Sequence, residues 1–146
     1  MFKITHEVEK ITQEVEKYPE NFTGMAEYVD GGKDWWLNGE LHRENGPAIE
    51  RANGDKEWWL NGKVHREDGP AIEWANGSKY WLLNGKLHRE DGPAVEFING
   101  TKIWYLNNKR FAYKEAWQKE LDKSKPTCNG KTVEIDGKKY KLTLVG

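Results

Sequence analysis

The sequence predicts a mainly β protein: a repetitive antiparallel meander sheet with an N-terminal helix, a C-terminal helix and a terminal β-hairpin. Three observations carry that reading. DWWLN, EWWLN, YWLLN and IWYLN begin at Asp34, Glu57, Tyr80 and Ile103, a constant offset of 23 residues, and a period of that size marks stacked supersecondary units. Asn-Gly pairs close runs of β-forming residues, a strong hairpin signal because both residues accept positive φ. The flanks lack the repeat and carry their own apolar spacing.

Residues 1–22 form the first element. ITHEVEK and ITQEVEK are near-identical heptads, and Ile4, Val8, Ile11, Val15 and Tyr18 fall at 4-3-4-3 spacing. That predicts an amphipathic helix stopped by Pro19. Residues 23–111 are the repeat sheet, with about two main strands per unit. HRENGPA at His42 and HREDGPA at His65 and His88 add a bend, since proline cannot donate to a ladder. Residues 112–125 form the second helix, with Tyr113, Ala116, Trp117 and Leu121 on one face. Residues 126–146 contain two alternating runs about Asp136-Gly137, the terminal hairpin.

Two-residue turns at every Asn-Gly would sort the side chains onto two faces. Trp35, Trp58, Trp81 and Trp104 then form a core stripe with Leu37, Leu60, Leu83 and Leu106, joined by Ile49, Ile72, Val95, Trp74 and Phe97. Trp36, Trp59, Leu82 and Tyr105 lie opposite, with Leu41, Val64, Leu87 and a glutamate column at Glu27, Glu50, Glu73 and Glu96. A single-layer sheet that is apolar on both faces has to be covered on both. Trp36, Trp59 and Tyr105, with Glu50 and Glu73 of the column, are therefore candidate binding residues.

The polar repeats are read against chemistry in turn. Strands two apart lie about 9.6 Å from one another, so His42, His65 and His88 cannot share one zinc, whose ligands stand about 2 Å from it. A Trp–His pair across each hairpin is the expected role. Arg43-Glu44, Arg66-Glu67 and Arg89-Glu90 are expected to form ion-pair ladders between repeats. The glutamate column gives each carboxylate a similar environment, whereas acid–base pairs need two different ones. GxSxG, P-loop, HExxH and CxxC patterns do not occur. No catalytic residue, metal or cofactor is expected.

Charge and cysteine content bound the rest. The 146 residues carry a net charge of −1, which gives no global attraction to nucleic acid or anionic membrane. It is unevenly placed: residues 23–108 hold 10 basic and 14 acidic side chains, and residues 109–146 hold 10 basic and 5 acidic. The single Cys128 permits no internal disulfide and suits a reducing, cytoplasmic compartment. No apolar run is long enough to span a membrane.

WLNGKVH at Trp59 to His65 and NGSKY at Asn76 to Tyr80 resemble the MORN repeat, through Trp59, Gly62, Lys63, His65, Gly77 and Tyr80. HREDGPA stands where MORN units have a shorter corner, so the chain looks like a variant found in tailed bacteriophages and some bacteria. The resemblance covers about 90 of the 146 residues. It implies protein docking, dimerisation and sometimes contact with acidic lipids, and by itself fixes no activity. It also implies a phage-type protein that engages and inhibits a host protein or complex, such as a bacterial defence system, in the host cytoplasm. Two alternatives stand beside it. One is a sequestering protein for a nucleotide messenger, with Arg43, Arg66 or Arg89 meeting phosphates beside stacking aromatics. The other is a structural oligomerisation module. A homodimer is expected, through the heptad stripe or the second aromatic face.

Overall fold

The computed structural model describes residues 19–125 and 132–141. The heptad stripe with its predicted helix, Cys128 and residues 142–146 lie outside the described residues.

The repeat forms a continuous antiparallel meander. Strands Gly24–Glu27, Lys33–Leu37, Ile49–Glu50, Lys56–Glu57, Ile72–Glu73, Lys79–Tyr80, Val95–Glu96 and Lys102–Leu106 lie side by side in chain order. They make an inner ladder. Between them the chain makes an outer hairpin in each repeat, as in Trp59–Leu60 with Lys63–Val64 and Leu82–Leu83 with Lys86–Leu87. Successive outer hairpins are tied by main-chain bonds, such as Arg66 N–H to Leu82 O at 3.1 Å and Gly85 N–H to Val64 O at 2.8 Å.

Each interior repeat thus has four short strands, where the sequence suggested two. The break falls at Trp58 and at Trp81, whereas in the first repeat the strand Lys33–Leu37 runs through Trp35 unbroken. Trp58 donates its N–H to Ala71 of the inner ladder at 2.8 Å, and its carbonyl accepts from His65 of the outer hairpin at 2.9 Å. Trp81 does the same with Ala94 and His88.

The Asn-Gly turns are of two kinds. On the outer rim Asn38-Gly39, Asn61-Gly62 and Asn84-Gly85 have positive φ at both residues, for example 49° and 70° at Asn61 and Gly62. These are the expected two-residue hairpin turns. On the inner rim only Gly54, Gly77 and Gly100 have positive φ. There the asparagine side chain bonds the chain two residues on, Asn76 Oδ1 accepting from Ser78 N–H at 2.8 Å. The loop closes one residue wider, Trp74 N–H to Ser78 O at 3.0 Å.

That extra residue overturns the predicted faces, because a one-residue shift of register exchanges the two sides of a strand. Glu50 stands opposite Lys56, and Ile49 opposite Glu57. Ile49, Ile72 and Val95 therefore share the face of Trp36 and Trp59, not that of Trp58. The glutamate column joins the Trp58 face, alternating with lysines in one row: Glu27, Lys33, Glu50, Lys56, Glu73, Lys79, Glu96, Lys102. Opposite charges stand on neighbouring strands along its whole length, each pair contributing a few tenths of a kcal/mol.

The core differs from the predicted stripe accordingly. Ala48, Ala71 and Ala94 of the GPA corners are the most buried positions, followed by Ala26, Val95, Phe22 and Ile49. The predicted stripe residues Trp35, Trp58 and Trp81 are half-buried, and Leu37 and Trp74 are exposed. A second core closes the C-terminal end, where Phe111, Trp117 and Leu121 pack with Trp104, Leu106 and Ala116. The helix Lys114–Ser124 carries it, with Ala116, Trp117 and Leu121 inward as the sequence indicated, whereas Tyr113 caps the helix in extended backbone and is 61% exposed. The strands Thr132–Ile135 and Lys138–Lys141 form the expected hairpin about Asp136-Gly137. No helix among the described residues is long and apolar enough to cross a membrane.

Candidate functional site: arginine brackets and corner grooves

The HRE(N/D)GPA corner builds one arrangement three times. The Arg66 guanidinium lies over the Trp58 ring, 4.0 Å from its centroid. Its Nη1 donates to Pro70 O and to Glu73 Oε1, both at 3.1 Å, and its Nε donates to Asp68 Oδ1 at 2.8 Å. Arg89 repeats this with Trp81, Pro93, Glu96 and Asp91. Arg43 repeats it with Trp35, Pro47 and Glu50, and Asn45 stands where the later corners have aspartate. A Cβ at Gly69 would stand 2.9 Å from the guanidinium carbon of Arg66, so a larger residue there would push the arginine from its seat. The Arg66 and Arg89 hydrogen bonds hold the Asp68 and Asp91 carboxyls below their ordinary range.

These partners correct the expected ladders. Each arginine pairs with the glutamate seven residues later in the chain, not with its neighbour in the next repeat. Glu44, Glu67 and Glu90 instead face the Nε2 atoms of His42, His65 and His88, at 3.9, 3.5 and 3.4 Å.

The histidines do more than pack. Each crosses its hairpin from tryptophan as expected, and its Nδ1 also accepts a main-chain N–H of the following repeat. His42 takes Asn61 at 3.1 Å, His65 takes Asn84 at 3.0 Å and His88 takes Asn107 at 3.1 Å. An accepting Nδ1 places the ring proton on Nε2, toward the glutamate. The inner rim has its own staples, Asp55 Oδ1 accepting from Ala75 N–H at 2.7 Å and Ser78 Oγ from Ile98 N–H at 3.1 Å. Asp55 and Ser78 occupy the same place in successive repeats, a pairing hidden in the sequence because the two side chains differ.

The predicted binding residues do not converge. Trp36, Trp59 and Tyr105 lie on the Ile49–Ile72–Val95 face and are half-buried, with Trp59 Nε1 donating to Glu57 at 2.9 Å. Arg43, Arg66, Arg89, Glu50 and Glu73 lie on the other face, engaged in the brackets. Between successive corners is a groove of about 710 Å³ with Trp58 and Leu60 in its lining, bordered by Arg43, Glu44, Arg66, Glu67 and Asp68. Both arginines there are paired within the protein, whereas the side chains of Glu44, Glu67 and Asp68 are about four-fifths exposed. A second groove, about 570 Å³, lies between the last corner and the helix, lined by His88, Glu90, Leu106, Lys109, Glu120 and Lys123. Among the described residues no three of His, Cys, Asp and Glu converge as metal ligands.

No family model, curated protein or solved structure matches the chain.

Proposed function

We propose that this chain is a non-enzymatic binding protein whose corner face docks a partner protein. The observation that carries this reading is the division of labour among the repeated polar groups. Arginine, histidine and the glutamate column hold the array together through bonds within and between repeats. Glu44, Glu67 and Glu90 keep most of their side chains toward solvent, as does the arginine-bonded Asp68, and they border grooves with apolar residues in their lining. Such a surface suits basic side chains carried on an extended segment, with charge steering the encounter.

The MORN-like character of the repeat adds the finer reading: a phage-type protein that engages and inhibits a host factor, such as a component of a bacterial defence system. Pulldown from bacterial lysate with the wild-type chain and the triple variant Glu44→Lys, Glu67→Lys, Glu90→Lys tests both levels. A partner that is held by the wild type and lost by the correctly folded variant supports corner docking. Equal recovery by both rejects it. Restoration of a defence activity in cells when that partner escapes supports the inhibitory role.

A further inference from the structure

The corners repeat on a spacing that a partner chain can share. Equivalent residues of successive repeats stand two strands apart in the inner ladder, as Glu50, Glu73 and Glu96 do. At the usual strand spacing that is about 9.6 Å, or about 19 Å across three corners. The corners keep this step, because each corner arginine N–H bonds the outer hairpin of the next repeat: Arg43 to Trp59 O, Arg66 to Leu82 O and Arg89 to Tyr105 O. Glu44, Glu67 and Glu90 hold equivalent places, each beside a histidine Nε2 and with most of its side chain exposed. They form one row that runs across the strands.

The row is acidic on balance. Histidine aside, His42–Glu50 holds one basic and two acidic side chains, and His65–Glu73 and His88–Glu96 each hold one and three. The arginines are engaged by a tryptophan ring, a proline carbonyl and a glutamate. What faces outward is therefore carboxylate, which suits a cationic partner rather than a phosphate. The groove of about 710 Å³ between the first two corners adds apolar contact, with Trp58 and Leu60 in its lining.

Of the regular backbones, polyproline II fits this row. A β-strand brings side chains back to one side about every 6.6 Å and misses the second corner. An α-helix brings them into line every seven residues, about 10.5 Å, and overshoots three corners by about 2 Å. Polyproline II has three residues per turn and rises about 3.1 Å per residue, so every third side chain falls on one side, about 9.3 Å apart. It keeps within about 1 Å of the row over three corners.

We propose that the occupant of the corner face is a polyproline II segment with lysine or arginine at every third position, lying across the strands. Successive cations meet Glu44, Glu67 and Glu90. The second and third corners attract more strongly, because the mostly exposed Asp68 and Asp91 stand where the first corner has Asn45. The residues between the cations meet Trp58 and Leu60, as proline-rich segments meet aromatic-lined grooves elsewhere. This inference rests on the corner face as the docking surface and adds the conformation and spacing of what docks there.

Fluorescence anisotropy of labelled, capped heptapeptides titrated with the full-length chain is the test. One peptide has lysine at positions 1, 4 and 7 and proline elsewhere, and its isomer has lysine at positions 1, 3 and 5. The first is expected to bind at low salt with a Kd of about 100 µM, and the isomer at least about fivefold more weakly. The triple variant Glu44→Gln, Glu67→Gln, Glu90→Gln keeps an oxygen for each histidine Nε2 and should weaken the first peptide about tenfold. Equal binding of the two peptides overturns the proposal, as does no binding of the first at about 1 mM or binding that the glutamine variant leaves unchanged. If a lysate partner is nevertheless lost by the lysine variant, corner docking stands and only the spaced, extended occupant is rejected.

Discussion

Trp58 and Trp104 hold the same place in the repeat and are covered by different means. Over Trp58 lies the Arg66 guanidinium, fixed by Asp68, Pro70 and Glu73. Twenty-three residues after Arg89 the chain has Ala112, and Trp104 is packed instead by the helix core of Phe111, Trp117 and Leu121. Trp117 also reaches back, its Nε1 donating to Arg89 O at 3.2 Å. An interior unit has a neighbour on each side and needs only a local polar bracket. The last unit has no successor and is finished by an apolar cap, as terminal repeats of stacked arrays are.

The comparison predicts an order of costs. Trp117→Ala removes a buried aromatic from the cap and should cost about 3–5 kcal/mol in urea denaturation. A loss no greater than that of an interior bracket would break the distinction between cap and bracket. Arg66→Ala should cost about 2–3 kcal/mol, because it removes charge-assisted bonds and the cover of Trp58 together. Arg66→Lys keeps the charge but not the planar fork that stacks and bonds at once, and should recover less than half of that. His65→Ala should cost about 1 kcal/mol, the usual contribution of a single hydrogen bond, with faster hydrogen exchange at the Asn84 amide as its local signature.

The smallest effect is expected in the first repeat. Asp34 is buried, and burial raises its carboxyl above the ordinary value of 3.8, against the lowering hydrogen bonds from Tyr28 and Arg51 and the Arg51 charge. A carboxyl raised in the folded state binds protons more tightly there than in the unfolded chain. Its contribution is therefore fully present below the unfolded value and is lost as pH rises through the folded one. Denaturation of the wild type and Asp34→Asn across acidic pH should show that fall in the wild type only. An unchanged profile would return Asp34 to the class of ordinary surface carboxylates.

Much of this architecture was legible in the sequence, and the failures have physical causes. The period, the outer turns, the helix face at Ala116, Trp117 and Leu121, and the terminal hairpin follow from spacing and turn chemistry. The two sheet faces did not, because Asn-Gly serves two turn types. Asn61 adopts positive φ, whereas Asn76 bonds Ser78 with its side chain and leaves only Gly77 at positive φ. One residue of difference moved Ile72 to the face of Trp59. The arginine partners were missed because Glu73 lies seven residues from Arg66, while Glu67 is its neighbour in sequence. Ala71 was passed over because its burial comes from the corner rather than from an apolar pattern. The inner-rim staples were hidden because Asp55 and Ser78 do one job with different side chains.

The central claim is that the repeated polar residues build the array instead of forming an open site. A double-mutant cycle of Arg66→Met and Glu73→Gln, read by urea denaturation, tests it most directly. The two changes should be coupled by at least about 1 kcal/mol, with each single variant clearly destabilised. Changes that add to within about 0.3–0.5 kcal/mol, as for independent sites, with near-wild-type stability in each single variant, would contradict it.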